Sequence, residues 1–92
     1  MESNFEWDLA KEALNIEKHG VDFITATRAF EDPERKILLD KKHNQLETRY
    51  YYIAKVNGRV INVRFVYRGE KIRILGAGFW RKGEKHYEEE KI

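Results

Sequence analysis

Arg49, Arg64 and Arg73 each sit in an aromatic or β-branched run, and Arg68 closes the second of these runs at a Gly turn. If the runs are strands, side chains two apart share a face. Arg64 then points away from the side that holds Ile61, Val63 and Phe65. With Arg49 and Arg73 it makes a basic outer face, and Arg68 stands at its turn. A guanidinium keeps its charge and presents a planar fork of donors, so several on one face could hold phosphate. The bland reading is a sheet surface solvated by arginine. Tyr50, Tyr51 and Tyr52 could stack an unpaired base, or they could pack the core and edge, since at least one of three consecutive tyrosines must turn inward.

His19, His43 and His86 share no ligand-like spacing with one another or with Asp or Glu. No metal or other cofactor is expected. His19 follows Lys18 and reads as a favourable charge at a helix C-terminus. His43 lies in a polar stretch and reads as a general acid or base, or as a plain loop residue. The absence of Cys excludes disulfides, thiolate zinc sites and a cysteine nucleophile. Gly76-Ala77-Gly78 lacks the further Gly and the helix of a dinucleotide loop. Trp7-Asp8 and Trp80-Arg81 read as packing and capping.

The elements that must carry these residues follow from local signals. Phe5-Glu6-Trp7 alternates as a short strand. Asp8 reads as the N-cap of a helix from Leu9 to Lys18, with Gly20 at its left-handed end. Asp22 caps a second helix bearing Phe23, Ala26, Thr27 and Phe30, and Asp32-Pro33 stops it. Ile37-Leu38-Leu39 is a brief apolar run, and Asp40 to Glu47 is a loop. Arg49 to Val56 and Arg59 to Tyr67 flank Asn57-Gly58, a strong hairpin signal. Lys71 to Phe79 is the last strand, and Lys82 to Lys91 is expected as a short C-terminal helix. Helices first and a meander after give an α+β class.

With 92 residues and 11.1 kDa, residues 1–92 are expected to form a single domain with a thin core. No apolar run is long enough for a membrane span, and the N-terminus lacks a signal-peptide pattern; a cytoplasmic protein with no membrane partner is the expectation. The net charge of +2 conceals a segregation: residues 1–35 carry −5, residues 36–85 carry +9 and residues 86–92 carry −2. One face should therefore attract a polyanion, unless the charge serves solubility alone.

Phe5-Glu6-Trp7-Asp8, Lys11, Asn15, Lys18-His19-Gly20-Val21, Phe23, Ala26, Phe30 and Asp32-Pro33 resemble the BrnT family of ribonuclease toxins of type II toxin–antitoxin systems. The likeness continues through Asp40, His43, Glu47-Thr48-Arg49, Tyr67-Arg68-Gly69 and Ile72-Arg73-Ile74, across nearly the whole chain. It implies a RelE-like fold: two N-terminal helices packed on a small twisted antiparallel sheet, with a short C-terminal helix. It also implies metal-independent RNA cleavage, neutralisation by a BrnA-like antitoxin, and contact with DNA only indirectly, through that antitoxin. Typical members follow Ile-Arg-Ile with Ile-Ser-Ala-Arg. This chain departs from that with Leu75-Gly76-Ala77-Gly78, so the usual Arg is Gly78, and Arg81 and Lys82 are the basic residues nearest to it.

RNA cleavage through its own 2′-hydroxyl needs alignment, charge stabilisation and two proton transfers. On that basis Arg68 and Arg73 are expected to stabilise the transition state, and His43 or Glu47 to act as base. Arg49, Lys41, Arg64, Arg81 and Lys82 are expected to contact RNA. Two other functions fit the same residues: a non-catalytic nucleic-acid-binding module, and a partner-binding subunit that docks through its acidic helices or a sheet edge.

Overall fold

The structure is a computed structural model and describes residues 4–41, 47–79 and Tyr87. Strand β1 (Phe5–Trp7) leads into α1 (Leu9–His19) and α2 (Phe23–Ala29). Strands β2 (Lys36–Leu39), β3 (Tyr50–Val56), β4 (Arg59–Arg68) and β5 (Lys71–Phe79) follow. They form one five-stranded sheet in the order β1-β5-β4-β3-β2.

This corrects the expected architecture. The sheet is mixed rather than antiparallel, because β1 pairs parallel with β5 while the other pairs run antiparallel. Strands, not the two short helices, are the dominant element of the described fold. Alternation identifies Phe5–Trp7 as a strand but says nothing about its partner. That partner lies more than sixty residues on, with Phe5 opposite Ile72 and Trp7 opposite Ile74. The C-terminal helix expected from 82 to 91 lies outside the described residues except for Tyr87.

Local chemistry sets the ends of the elements. Asp8 caps α1, accepting from the amides of Ala10 at 2.8 Å and Lys11 at 3.1 Å. Gly20 ends the helix at φ 72°, where a β-carbon would be strained. Asp22 caps α2 through the Thr25 amide. The Glu12 carboxylate ties three elements together, accepting from Trp7 Nε1 at 3.1 Å and from the Phe23 amide at 2.9 Å. Asn57 and Gly58 both have positive φ, 52° and 81°, as a two-residue hairpin turn requires.

The main core lies between α2 and one sheet face. Phe23, Ala26 and Ala29 of α2 meet Tyr52, Ala54, Ile61, Val63, Phe65, Ile72 and Ile74. Burying each large side chain here contributes about 1.5–3 kcal/mol. The Tyr52 phenol donates to the Ala26 carbonyl, and burial pushes its pKa upward. The opposite face is not wholly solvated. Ile53, Val60 and Tyr87 form a second buried cluster there, and Val66 is 1% exposed.

Candidate nucleic-acid interface

The candidate residues stand on the sheet face opposite α2. Register shows how β4 arranges them. Arg64, Val66 and Arg68 are two apart on that face; Arg64 lies opposite Tyr51 of β3, and Val66 lies opposite Arg73 of β5. Tyr50 pairs with Phe65, so continuing the register one step sets Arg49 beside Val66. Val66 is thus the floor of a ring of four arginines: Arg64 and Arg68 along its own strand, Arg49 and Arg73 to either side.

Two carboxylates hold members of this ring. Both oxygens of Glu47 accept from Arg68 Nη2 at 3.2 Å, and the Glu6 carboxylate accepts from Arg73 Nη1 at 3.2 Å. Both pairs are partly exposed, so their worth is small as stabilisation, about 0–1 kcal/mol each. Their effect is to restrict where each guanidinium points. Arg64 is exposed and lies over Gly76, its Nη2 2.7 Å from where a β-carbon on that glycine would stand. A shift of register between Arg64 and Phe65 makes this possible: Phe65 faces Ile74 and Arg64 faces Gly76, leaving Leu75 as the extra residue on β5.

Of the residues singled out in the sequence, Arg49, Arg64, Arg68, Arg73 and Glu47 come together here. Lys41 is exposed just after β2, beside the start of the loop. His43, Arg81 and Lys82 lie outside the described residues. Among the tyrosines, Tyr52 is core, Tyr50 packs against Phe65 and Tyr67, and Tyr51 shares the arginine face. Glu6 was not anticipated as a site residue, because its neighbour Arg73 is 67 residues away and joined to it only by the parallel pairing. Gly76 was legible as a departure from a motif but not as the seat of Arg64.

Among the described residues, no group of three or more His, Asp or Glu is placed to hold a metal ion, and no helix is long and apolar enough to cross a membrane. A small mixed sheet with α2 on one face and clustered guanidiniums on the other defines a class of protein suited to a polyanion. Residues 7–84 match the family described as ribonuclease toxin, BrnT, of type II toxin–antitoxin systems, and the chain belongs to that family. Membership makes it a ribonuclease toxin by family, with RNA as the class of substrate and an antitoxin as partner. No curated protein matches the chain.

Proposed function

We propose that this protein is an endoribonuclease that cleaves RNA without a metal ion, inhibits growth in the cytoplasm and is neutralised by a BrnA-like antitoxin covering its arginine face. The observation that carries the reading is the ring of Arg49, Arg64, Arg68 and Arg73 around Val66, in a chain of this family. Cleavage by the neighbouring 2′-hydroxyl passes through a pentavalent phosphorane with added negative charge. Guanidiniums already aimed at that charge stabilise it more than they stabilise the resting phosphodiester. Glu47 and Glu6 keep Arg68 and Arg73 ordered before RNA arrives, which lowers the entropy lost on binding. Lys41 extends the positive field toward flanking phosphates, and Tyr51 offers a face for a base beside Arg64.

The test is incubation of the purified protein with structured and single-stranded RNA in excess EDTA. The expected result is cleavage leaving 2′,3′-cyclic phosphate and 5′-hydroxyl ends. Cleavage that stops on chelation and returns with a divalent ion overturns the metal-free mechanism. Binding without any cleavage points to the non-catalytic nucleic-acid module instead.

A further inference from the structure

Two glycines of β5 are covered by side chains from other elements. Gly76 and Gly78 lie opposite Arg64 and Asn62 of β4, two residues apart and therefore on one face, the arginine face. A β-carbon on Gly76 would meet the Arg64 guanidinium. One on Gly78 would stand 3.5 Å from Cγ and 3.6 Å from Nδ1 of His19. Equivalent positions two apart on a strand are separated by about 7 Å. A guanidinium at Gly76 and an imidazole at Gly78 therefore lie against the same stretch of β5, whose two glycines present no side chains to this face.

The backbone on either side of His19 is set by its neighbours. One turn earlier on α1, the Asn15 amide donates to the Ala77 carbonyl at 2.9 Å and accepts from the Ala77 amide at 3.1 Å, which pins the helix end to β5 next to Gly78. Gly20 then turns the chain away, leaving His19 exposed. On this face Glu47 and Glu6 both accept hydrogen bonds from arginines. Glu47 sits with Arg68, four residues along β4 from Arg64. His19 is the one histidine among the described residues.

We infer that His19 is a catalytic residue, moving a proton at a phosphodiester that Arg64 holds over Gly76 and Gly78. The inference rests on the ribonuclease reading and places its reacting phosphate at the Arg64 end of the ring. The 2′-oxygen attacks phosphorus, and as the P–O2′ bond forms its proton passes to a ring nitrogen of His19. The P–O5′ bond then breaks, and the same proton passes to the departing 5′-oxygen. The products are a 2′,3′-cyclic phosphate and a 5′-hydroxyl; the imidazole ends neutral, as it began. An imidazole is suited to both transfers because it accepts and donates protons near neutral pH.

The experiment compares wild type, His19→Gln and His19→Ala in the full chain, with three readouts: RNA cleavage, affinity for an oligonucleotide made uncleavable by 2′-deoxy substitution, and the melting curve. Cleavage by both variants is expected to fall at least about a hundredfold. Affinity and melting stay near wild type, and free imidazole restores part of the His19→Ala activity. His19→Gln cleaving at the wild-type rate overturns the inference and leaves the ribonuclease reading intact. A loss of cleavage that tracks a loss of affinity or of the native melting curve, with no imidazole rescue, overturns it in favour of a structural role. A wild type that binds the oligonucleotide and cleaves nothing overturns the ribonuclease reading, and this inference with it.

Discussion

The Arg64 guanidinium occupies the space that a side chain at Gly76 would fill, its Nη2 2.7 Å from the position of the missing β-carbon. No real β-carbon tolerates that distance. The atom it would meet is the far end of a flexible side chain, so Arg64 would swing aside and the backbone would stay. Gly76→Ala is therefore expected to melt like wild type and to lose RNA cleavage nearly as far as Arg64→Ala does. Paired melting and cleavage assays check this. Full activity in Gly76→Ala would mean that the seat of Arg64 does not matter.

Arg68→Ala and Arg73→Ala each remove a guanidinium that a carboxylate already orders. A hydrogen bond to a charged group contributes about 1.5–3 kcal/mol, so each change should lower RNA cleavage roughly tenfold to a hundredfold. The Arg64→Ala loss, at the reacting phosphate, should be larger, roughly a hundredfold to a thousandfold. Arg59 is the control: its guanidinium lies 3.6 Å over the Phe79 ring, away from the arginine ring. If Arg59→Ala proves as damaging as the other three, the site has been misplaced.

Asn15 is the only polar residue in the buried set among the described residues, 7% exposed. It donates to the carbonyls of Val21 and Ala77 at 2.9 Å and accepts from the Ala77 amide at 3.1 Å. Strand β1 covers the β5 edge only from Ile72 to Ile74, so Asn15 supplies further along the pairing a longer β1 would have made. Asn15→Leu leaves those backbone groups buried without partners, at about 1–3 kcal/mol each. For a chain of this size the melting temperature should drop roughly 10 °C or more. A calorimetric scan of the variant decides it; a drop of only a degree or two would show that water replaces the amide.

These cases also show what could be read without the structure. The caps at Asp8, Asp22 and Gly20, the Asn57-Gly58 turn and the run from Lys71 to Phe79 were legible, because each depends on residues within a few positions of one another. So was the separation of Arg64 from Ile61, Val63 and Phe65, which needs only the period of two. The parallel partner of Phe5–Trp7 was not, since alternation carries no address. Val66 falls by alternation on the outward side with Arg64, yet it is buried, because single-strand alternation cannot show what covers the second face. His19 looked like a helix-end charge for the same reason: its neighbour Gly78 comes from an element 59 positions away.

The acid limb of stability should contain a contribution from Asp8. Its carboxylate accepts from the amides of Lys11 and Ala10, which hold its pKa below the ordinary value of 3.8. A lowered folded pKa means that the charged form is favoured by folding. The contribution is therefore present above about pH 4 and is lost as pH falls through the folded value. Asp8→Asn keeps a capping oxygen but does not titrate. Urea melts between neutral pH and about pH 2 should show a shallower acid decline for Asp8→Asn than for wild type; identical slopes would remove Asp8 from the account.

The antitoxin should bind the arginine face and be acidic where it does so. The ring around Val66 concentrates four guanidiniums, of which Arg68 and Arg73 are already shared with Glu47 and Glu6. An inhibitor that blocks RNA must offer carboxylates in place of phosphates, and to hold with useful affinity it needs roughly 1,200–2,000 Å² of buried surface. Exposed opposite charges steer the encounter over a Debye length of about 10 Å at 0.1 M salt, so the association rate should fall steeply as salt rises. The check is co-purification with the product of the adjacent gene, followed by stopped-flow association across a salt series and RNA binding by the complex. Arg64→Ala and Arg73→Ala should slow association, and the complex should not bind RNA. A complex that retains RNA binding would place the antitoxin on the acidic helices instead, beside Asp8, Glu12 and Asp22, and would leave the arginine face open to its substrate.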